Sequence, residues 1–373
     1  MRELARGAVV ALGLVANGGT ALSLSRNQHW FMRLWDFPRV QLALGGAVAG
    51  ALYRKFFFRG RVADHAFMIA TAAAVAWQAR KIRPYTPLGP VRVQRSKRGL
   101  GGDGQRGANT FRLLITNVRM ENREHDRLLE VIRASAPDVV LALETDAAWA
   151  EALRRLRADF PHVFEHPLEN FYGLVLLSRL PLIDPKIRFL VQDDIPSIHT
   201  GVELRSGDRI FLHGLHPRPP EPIRDQDSTP RDAELVVVGK TIRENGPRPT
   251  IVAGDLNDVA WSETSELFLR LSGLLDPRMG RGFYNSYHAD HWIMRYPLDH
   301  VFHSNHFRLI ELQRLPHIGS DHFPMLVELN YEPEAEHAQE PTREKTGDET
   351  KANEVLVSEA ETARTGDDQP RDA

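Results

Sequence analysis

Residues 249–258 read PTIVAGDLND, an apolar run with β-branched residues that ends in Gly254, Asp255, Leu256 and Asn257. A run of that length, closed by Gly and Asx residues, predicts a buried strand delivering polar side chains to its end. The pattern recurs on both sides. FRLLITNV (111–118) ends near Asn117, and PDVVLALE (137–144) ends on Glu144. GLVLLS (173–178) and VELRS (202–206) follow, and DRIFLHGLH (208–216) ends in His213 and His216. DHVFHS (299–304) begins with Asp299 and His300, FRLIELQRL spans 307–315, and HFPMLVEL (322–329) follows Ser320 and Asp321. Between them HDRLLEVIRASA (125–136), WAEALRRLRADF (149–160) and AELVVVGKTIREN (233–245) have helical spacing. Strands alternate with helices in the first half, and strands follow one another in the second. This predicts a single α/β (α+β) domain over 111–331, a mixed sheet pair with helices outside. No internal repeat is visible.

Outward from this domain the composition changes. The chain has 373 residues and a net charge of -2, but residues 1–110 carry 17 basic and 4 acidic side chains. Residues 332–373 carry 5 basic and 13 acidic ones, and the middle carries 25 and 32. A uniformly basic nucleic-acid binder is excluded. The absence of cysteine excludes disulfide scaffolds, iron–sulfur clusters, Cys-ligated zinc and thiol catalysis.

Residues 1–83 contain three apolar runs, about 8–24, 40–58 and 62–79. Each is at or below the short end of a membrane span, yet three in succession are read as a membrane region of about three transmembrane helices. Trp30, Trp35, Tyr53 and Trp77 lie near their ends, where interfacial aromatics belong. The competing reading is a soluble helical domain rich in Ala and Gly. Arg2 and Arg6 precede the first run, and Arg54, Lys55, Arg59 and Arg61 crowd the second loop. The positive-inside rule then sends the rest of the chain to the periplasm, against the basic residues that follow the third run. Residues 84–110, Pro-rich, then basic, then Gly-rich, read as a linker. The acidic tail 332–373 lacks the apolar surface to offset its ordering entropy and is expected to be disordered.

A set of Glu, Asp, Asn and His at strand ends has chemical meaning. Hard oxygen donors without Cys suit Mg²⁺, or Mn²⁺, rather than a closed zinc site. Amides and imidazoles contact phosphate oxygens, and an Asp beside a His fixes or charges the imidazole. Together they fit metal-assisted hydrolysis of a phosphoester. Singly, Asp299, Asp255 and Asn257 are each more often turn or cap residues. Glu144, ending an apolar strand, is harder to assign to structure, because a buried unpaired carboxylate is costly. His288, His291, His303, His306 and His317 read as loop or surface residues, and Trp149 as core. Trp261 is a candidate pocket residue, and Arg281 a candidate phosphate contact.

The segments LLITNV, PDVVLALET, YGLVLLSRLPL, LHGLHPRPP, IVAGDLNDVAWS, PLDHVFHS and GSDHFPMLVEL stand in one order over residues 113–329. In this the chain resembles the endonuclease/exonuclease/phosphatase (DNase I-like) superfamily. The N-terminal runs followed by PYTPLGP look like a membrane-anchored bacterial branch. The resemblance implies a four-layer α/β/β/α sandwich of the DNase I-like type and a Mg²⁺-dependent phosphodiesterase, nuclease or phosphatase. It implies a multi-pass protein of the bacterial inner membrane, with a lipid head group, nucleic acid or small phosphoester as substrate. Position by position, Glu144 resembles the principal metal ligand, with Asn117 beside it and Asp321 as a further metal-side carboxylate. Asp255 resembles the group that orients or deprotonates water, and Asn257 a phosphate contact. His322 resembles the imidazole at the scissile phosphate, with Asp299 as its partner. His216 resembles the second histidine, with His213 as its rival. Arg119 stands where many nucleases carry an acidic residue, which bears on a second metal position. The alternative is a catalytically silent, membrane-tethered binding module of the same fold, which retention of Glu144, Asp255 and His322 disfavours.

Overall fold

The computed structural model describes residues 1–25, 27–97, 107–220 and 227–367. They fall into two compact units, residues 1–90 with 220–228, and residues 91–219 with 229–373.

The first unit is helical: α1 (Arg2–Ser23), α2 (Trp30–Leu34), α3 (Arg39–Phe56) and α4 (Val62–Ile82). Small side chains let the three long helices approach closely. Ala16, Ala49 and Ala74 are buried, and a Cβ on Gly46 would sit 2.8 Å from Val75 Cγ2. Polar groups are turned inward: Arg39 donates to Gln78 (2.9 Å), Gln78 to Thr20 (2.9 Å) and Tyr53 to Asp64 (2.7 Å). Large apolar side chains face outward, among them Leu14, Leu44 and Ile69 at 58%, 63% and 70% exposure. The three apolar runs thus form helices, but the expectation of about three spans is corrected. Among the described residues α1 alone is long and apolar enough to cross a membrane, on length and composition. Alanine and glycine carry little apolar area, and Arg39, Arg54 and Lys55 within α3, or Asp64, His65 and Gln78 within α4, lower the mean hydropathy. The expected multi-pass topology and periplasmic orientation lose their basis with it.

The second unit is built on two sheets. One has six strands in the order β10-β11-β1-β2-β4-β3: β1 (Thr110–Asn117), β2 (Val139–Leu143), β3 (His162–His166), β4 (Leu174–Ser178), β10 (Phe307–Arg314) and β11 (Met325–Tyr331). The other has five in the order β5-β6-β7-β8-β9: β5 (Leu182–Phe189), β6 (Pro196–Glu203), β7 (Arg209–Leu215), β8 (Thr250–Asp255) and β9 (Asp299–His303). Only β1/β2 and β7/β8 pair in parallel among the described strands. Their crossovers carry α5 (His125–Ser135) and α7 (Thr229–Glu244). Both sheets carry buried apolar residues on both faces, as sheets covered on both sides do. Leu113, Ile115 and Leu141 meet Ile198, Leu212 and Ile251 between the sheets. The alternate residues Leu114 and Val140 pack under α5 and α6 (Ala147–Arg154), around the buried Trp149. Leu215 and Val252 pack under α7 and α8 (Glu263–Ser272) with Phe268. The result is the expected α/β/β/α sandwich.

Three stretches differ from the sequence reading. β3 and β5 are half-buried, and Pro185 marks β5 as an edge strand, so neither shows an apolar run. Residues 91–97 are not a free linker: Val93 is fully buried and Arg95 bridges to Leu309, while 98–106 lie outside the described residues. The tail, expected to be disordered, forms a 3₁₀ turn at Pro333–His337 and α9 (Asp348–Asp367). Ala352 is buried against Val236, Leu267 and Leu271, and Arg270 donates to Asp348 at 2.7 and 3.0 Å. Charge pairing, which composition does not display, orders it.

Candidate active site

The topology delivers the polar residues to one edge of the sandwich. β1 and β8 end on Asn117 and Asp255, and β2 and β7 stop one residue before Glu144 and His216. β9 and β11 run antiparallel to their neighbours and start there, bringing Asp299, Asp321 and His322 to the same edge. Backbone geometry fixes the register. A Cβ on Gly254 would lie 1.9 Å from the Leu215 carbonyl oxygen, so only glycine lets β7 and β8 meet beside Asp255. Arg119, Glu144 and Asn257 hold left-handed conformations, with φ of 55°, 59° and 50°. Such backbone is disfavoured for side chains like those of Arg119 and Glu144, is tolerated by asparagine, and collects where a chain must be aimed.

Asn117, His216, Asp255, Asp299 and His322 are buried, and Glu144, Asn257 and Asp321 form a half-buried rim. Asn117 Nδ2 donates to Glu144 Oε1 at 2.7 Å and to Asp255 Oδ2 at 3.1 Å. The Met120 amide adds 3.3 Å to Glu144 Oε2. His322 Nδ1 is 2.8 Å from Asp299 Oδ2, and Nε2 is 3.4 Å from Asp255 Oδ2. His216 Nε2 lies 3.9 Å from the same Asp255 oxygen. The Asn257 amide N donates to Asp255 Oδ1 at 2.9 Å, and its side chain to the Pro217 carbonyl at 3.0 Å. Asp321 Oδ1 is 3.4 Å from Ser320 Oγ. All eight expected residues therefore gather in one place.

The electrostatics follow from crowding. Burial pushes the Glu144 carboxyl up to about 7 and that of Asp255 up to about 6. Burial alone would discharge His322, but the carboxylates of Asp299 and Asp255 outweigh it and raise the imidazole to about 10. Burial holds His216 neutral, down to about 3. The pocket therefore combines a cationic imidazole, a neutral one and a surplus of acidic oxygen. One donor atom each of Asp255, Asp299 and His322 lies within 4.8 Å of the others, near enough to share an ion.

Sequence reading missed the residues that hold this set. Ser286 Oγ accepts from the Asp299 amide at 3.0 Å. Ser320 Oγ ties the Asn117 carbonyl (2.8 Å) to the His322 amide (3.0 Å). Tyr172 and Tyr287 pack rings on His216 and His322, at 5.3 and 4.9 Å. GSDH carried a signal for Ser320, but the others are contacts distant in sequence. His213, the rival of His216, faces away and meets His199, Nδ1 to Nδ1, at 2.6 Å. His303 and His306, expected at the surface, are buried: His303 Nδ1 meets the Ser304 carbonyl at 2.8 Å and His306 Nδ1 the Ser304 hydroxyl at 2.9 Å. Trp261 is buried against Phe283. Arg281 donates to the backbone carbonyls of Pro277 and Val93, which places it in structure rather than at the pocket. Arg119 gives its backbone amide to Asn117 Oδ1 at 2.9 Å and leaves no second carboxylate there.

A solved structure shares this architecture, and a second stands beside it. The structure of D. rerio TDP2 complexed with single-strand DNA product is 18% identical with a TM-score of 0.50, over 59% of this chain and 99% of that one. The human Nocturnin catalytic domain with bound sulfate is 18% identical with a TM-score of 0.48, over 60% and 95%. At these identities the likeness concerns the fold. No curated protein matches the chain. The profile of the Endonuclease/Exonuclease/phosphatase family matches residues 115–322, from the end of β1 through His322. More than half of the chain, including all eight clustered residues, lies within that match, and the chain belongs to the endonuclease/exonuclease/phosphatase family.

Proposed function

We propose that the chain is a divalent-metal-dependent phosphoester hydrolase. The observation that carries this is the convergence of Asp255 and Asp299 on the single charged imidazole of His322, with Glu144 joined to Asp255 through the Asn117 amide. Three carboxylates against one cation leave negative charge uncompensated in a buried pocket, which calls for a cation. The donors are hard oxygens with no sulfur, which suits Mg²⁺ or Mn²⁺. Glu144, Asn117 and Asp321 would hold it at the half-buried rim, since the positive His322 is the poorer ligand. When bound, the ion supplies polarisation of a phosphate and compensation of its charge.

The protein groups then take complementary parts. Asp255 accepts hydrogen bonds from Asn257 and Asn117, which aim its carboxylate as the base that orients water. His322, held by Asp299, presents Nε2–H to a phosphate oxygen and stabilises the charge that develops there. The amide of Asn257 and the ring of His216 line the approach. The substrate is a phosphoester: a lipid head group, a nucleic acid or a small ester. The D. rerio TDP2 structure is a complex with a single-strand DNA product, itself a phosphoester, which accords with this substrate class.

The first unit we assign to membrane association. Its helices turn polar groups inward and large apolar side chains outward, the reverse of a water-soluble bundle. The full chain in detergent, assayed with Mg²⁺, Mn²⁺ and EDTA on DNA, RNA, lipid vesicles and bis-(p-nitrophenyl) phosphate, tests the activity. Chelator-sensitive turnover lost in Glu144→Gln supports it. Turnover that survives both EDTA and the substitution refutes it. Flotation of the chain with vesicles, lost when residues 1–90 are absent, tests the association.

A further inference from the structure

A second cavity opens on the outer face of the five-stranded sheet. It has a volume of about 340 Å³ and lies between β5, β6, β7 and α7, lined by Arg188, His199, Arg209, His213 and Arg248 among others. The strand alternation that sends Leu212 into the core sends Phe211 and His213 into this cavity. The positive charge is uncompensated. Most arginines of the unit are paired, but among the described residues none of Arg188, Arg209 and Arg248 has an ion-pair partner. Arg248 lies over the Phe211 ring, 5.5 Å from its centroid, which holds the guanidinium at the cavity wall. Asp184 is the one carboxylate lining the space, and Lys186 satisfies it at 2.7 Å. α7 and the residue after it contribute only neutral groups, Val238, Thr241 and Asn245.

The histidines form a relay with a defined polarity. Ser197 Oγ donates its single hydrogen to the Arg188 carbonyl at 3.0 Å. At 2.9 Å from His199 Nε2 it must therefore accept, so His199 carries its proton on Nε2. His199 Nδ1 is then a bare acceptor, and the 2.6 Å contact requires His213 to donate from Nδ1. Neutral His213 is left with an unprotonated Nε2, and among the described residues nothing donates to it. Burial and the charge of Arg188 hold His213 in that neutral state, down to about 4.

We propose that this cavity is a binding site for a small phosphate-type oxyanion, which enters with one proton taken up on His213 Nε2. The protonated ring gives Nδ1–H to His199 and Nε2–H to the ligand, and the three guanidinia supply the opposing charge. A divalent cation is the wrong ligand for the same reason: it would face three positive charges and only two imidazoles. The cavity admits a phosphomonoester of a small molecule or free phosphate, the shared chemistry being the tetrahedral dianion.

Titration calorimetry of the full chain with sulfate at pH 8 and pH 6 tests this, since sulfate does not titrate there. Affinity should tighten by about tenfold or more over that interval, with proton uptake seen as a dependence on buffer ionisation. Arg188→Gln and Arg248→Gln, both at exposed residues, should each weaken binding by about tenfold, and His213→Gln should remove the pH dependence. All three effects should persist in a His322→Ala background, which separates this cavity from the active site. Competition by inorganic phosphate and glycerol phosphate distinguishes a free from an esterified ligand. Binding that is independent of pH, unchanged in both arginine variants or lost in His322→Ala overturns the proposal. So does displacement of sulfate by a short oligonucleotide and by neither small phosphate.

Discussion

His322 Nδ1 lies 2.8 Å from Asp299 Oδ2, and the two side chains are almost completely enclosed. The pair is held from both ends, Asp299 by Ser286 and His322 by Ser320 and the ring of Tyr287. Asp299→Asn keeps the shape and removes the larger of the two charges that keep the imidazole protonated. Turnover should fall by ~10²-fold or more, as loss of electrostatic or acid–base assistance does. The rate should also gain a dependence on pH near neutrality, where His322 would then titrate. Steady-state rates from pH 5 to 9 check this, and a flat profile at wild-type rate would remove His322 from the chemistry.

Glu144→Gln should abolish binding of Mg²⁺ and Mn²⁺ by calorimetry, and with it turnover. In metal-free buffer the same variant should melt higher than wild type at pH 8. Burial raises the Glu144 carboxyl to about 7, so the folded state binds the proton more tightly than the unfolded one. Its ionisation above that pH therefore costs stability, and glutamine removes the cost. A lower melting temperature at pH 8 would contradict the surplus of negative charge.

The half-buried pair His199 and His213 predicts a stability profile of opposite sign. Burial lowers them to about 3 and 4 from an ordinary 6.5. The unfolded state takes up protons first, so the stabilisation is complete above pH 6.5 and is lost as pH falls towards 4. Denaturant midpoints in low-anion buffer at pH 7 and pH 5 should differ less in His213→Gln than in wild type.

Arg270 and Asp348 bind through two hydrogen bonds with little solvent access. Asp348→Ala leaves the buried guanidinium only the distant Glu266, at 3.8 Å, and should destabilise the second unit by about 3 kcal/mol. Deleting 333–373 should do at least as much. Thermal denaturation of both variants checks this. An unchanged melting temperature on deletion would return the tail to the status its composition predicts.

Trp292, Ile293 and Met294 are exposed, at 77%, 58% and 55%, at the tip of a loop closed by the Tyr287–Tyr296 bridge. The base of that loop touches His322, and its Ala289 amide donates to the Asp321 carbonyl at 2.7 Å. A substrate extending beyond its phosphate would meet this tip. Trp292→Ala should raise KM severalfold with kcat nearly unchanged, on the preferred large substrate and not on bis-(p-nitrophenyl) phosphate. Equal effects on both would make the residue structural.

Residues close to the strand ends were legible because the sequence itself changes there. Glu144 interrupts an apolar run, and GDLND and GSDH state their turns. The choice of His216 over His213 rests on the resemblance, and the register supplies its physical reason: one stands past the end of β7 and the other on its outward face. Ser286 and Tyr172 gave no local signal: their partners are held by tertiary contact. The N-terminal region misled for a chemical reason, because runs of alanine and glycine read as apolar while burying little area. The tail misled because α9 is held by charges on α7 and α8 that only the fold brings opposite it.

The contact of Gly254 with Leu215 also has a reading in inheritance. Asp255 follows the one residue and His216 the other, so any side chain at 254 must push both site residues apart at once. In a saturation library every replacement at 254 should segregate with the inactive class, while at Gly207, whose added Cβ meets open space, asparagine and aspartate should survive. Descendants of this chain can drift across most of their surface, but at that crossing they have no neighbouring sequence to move to.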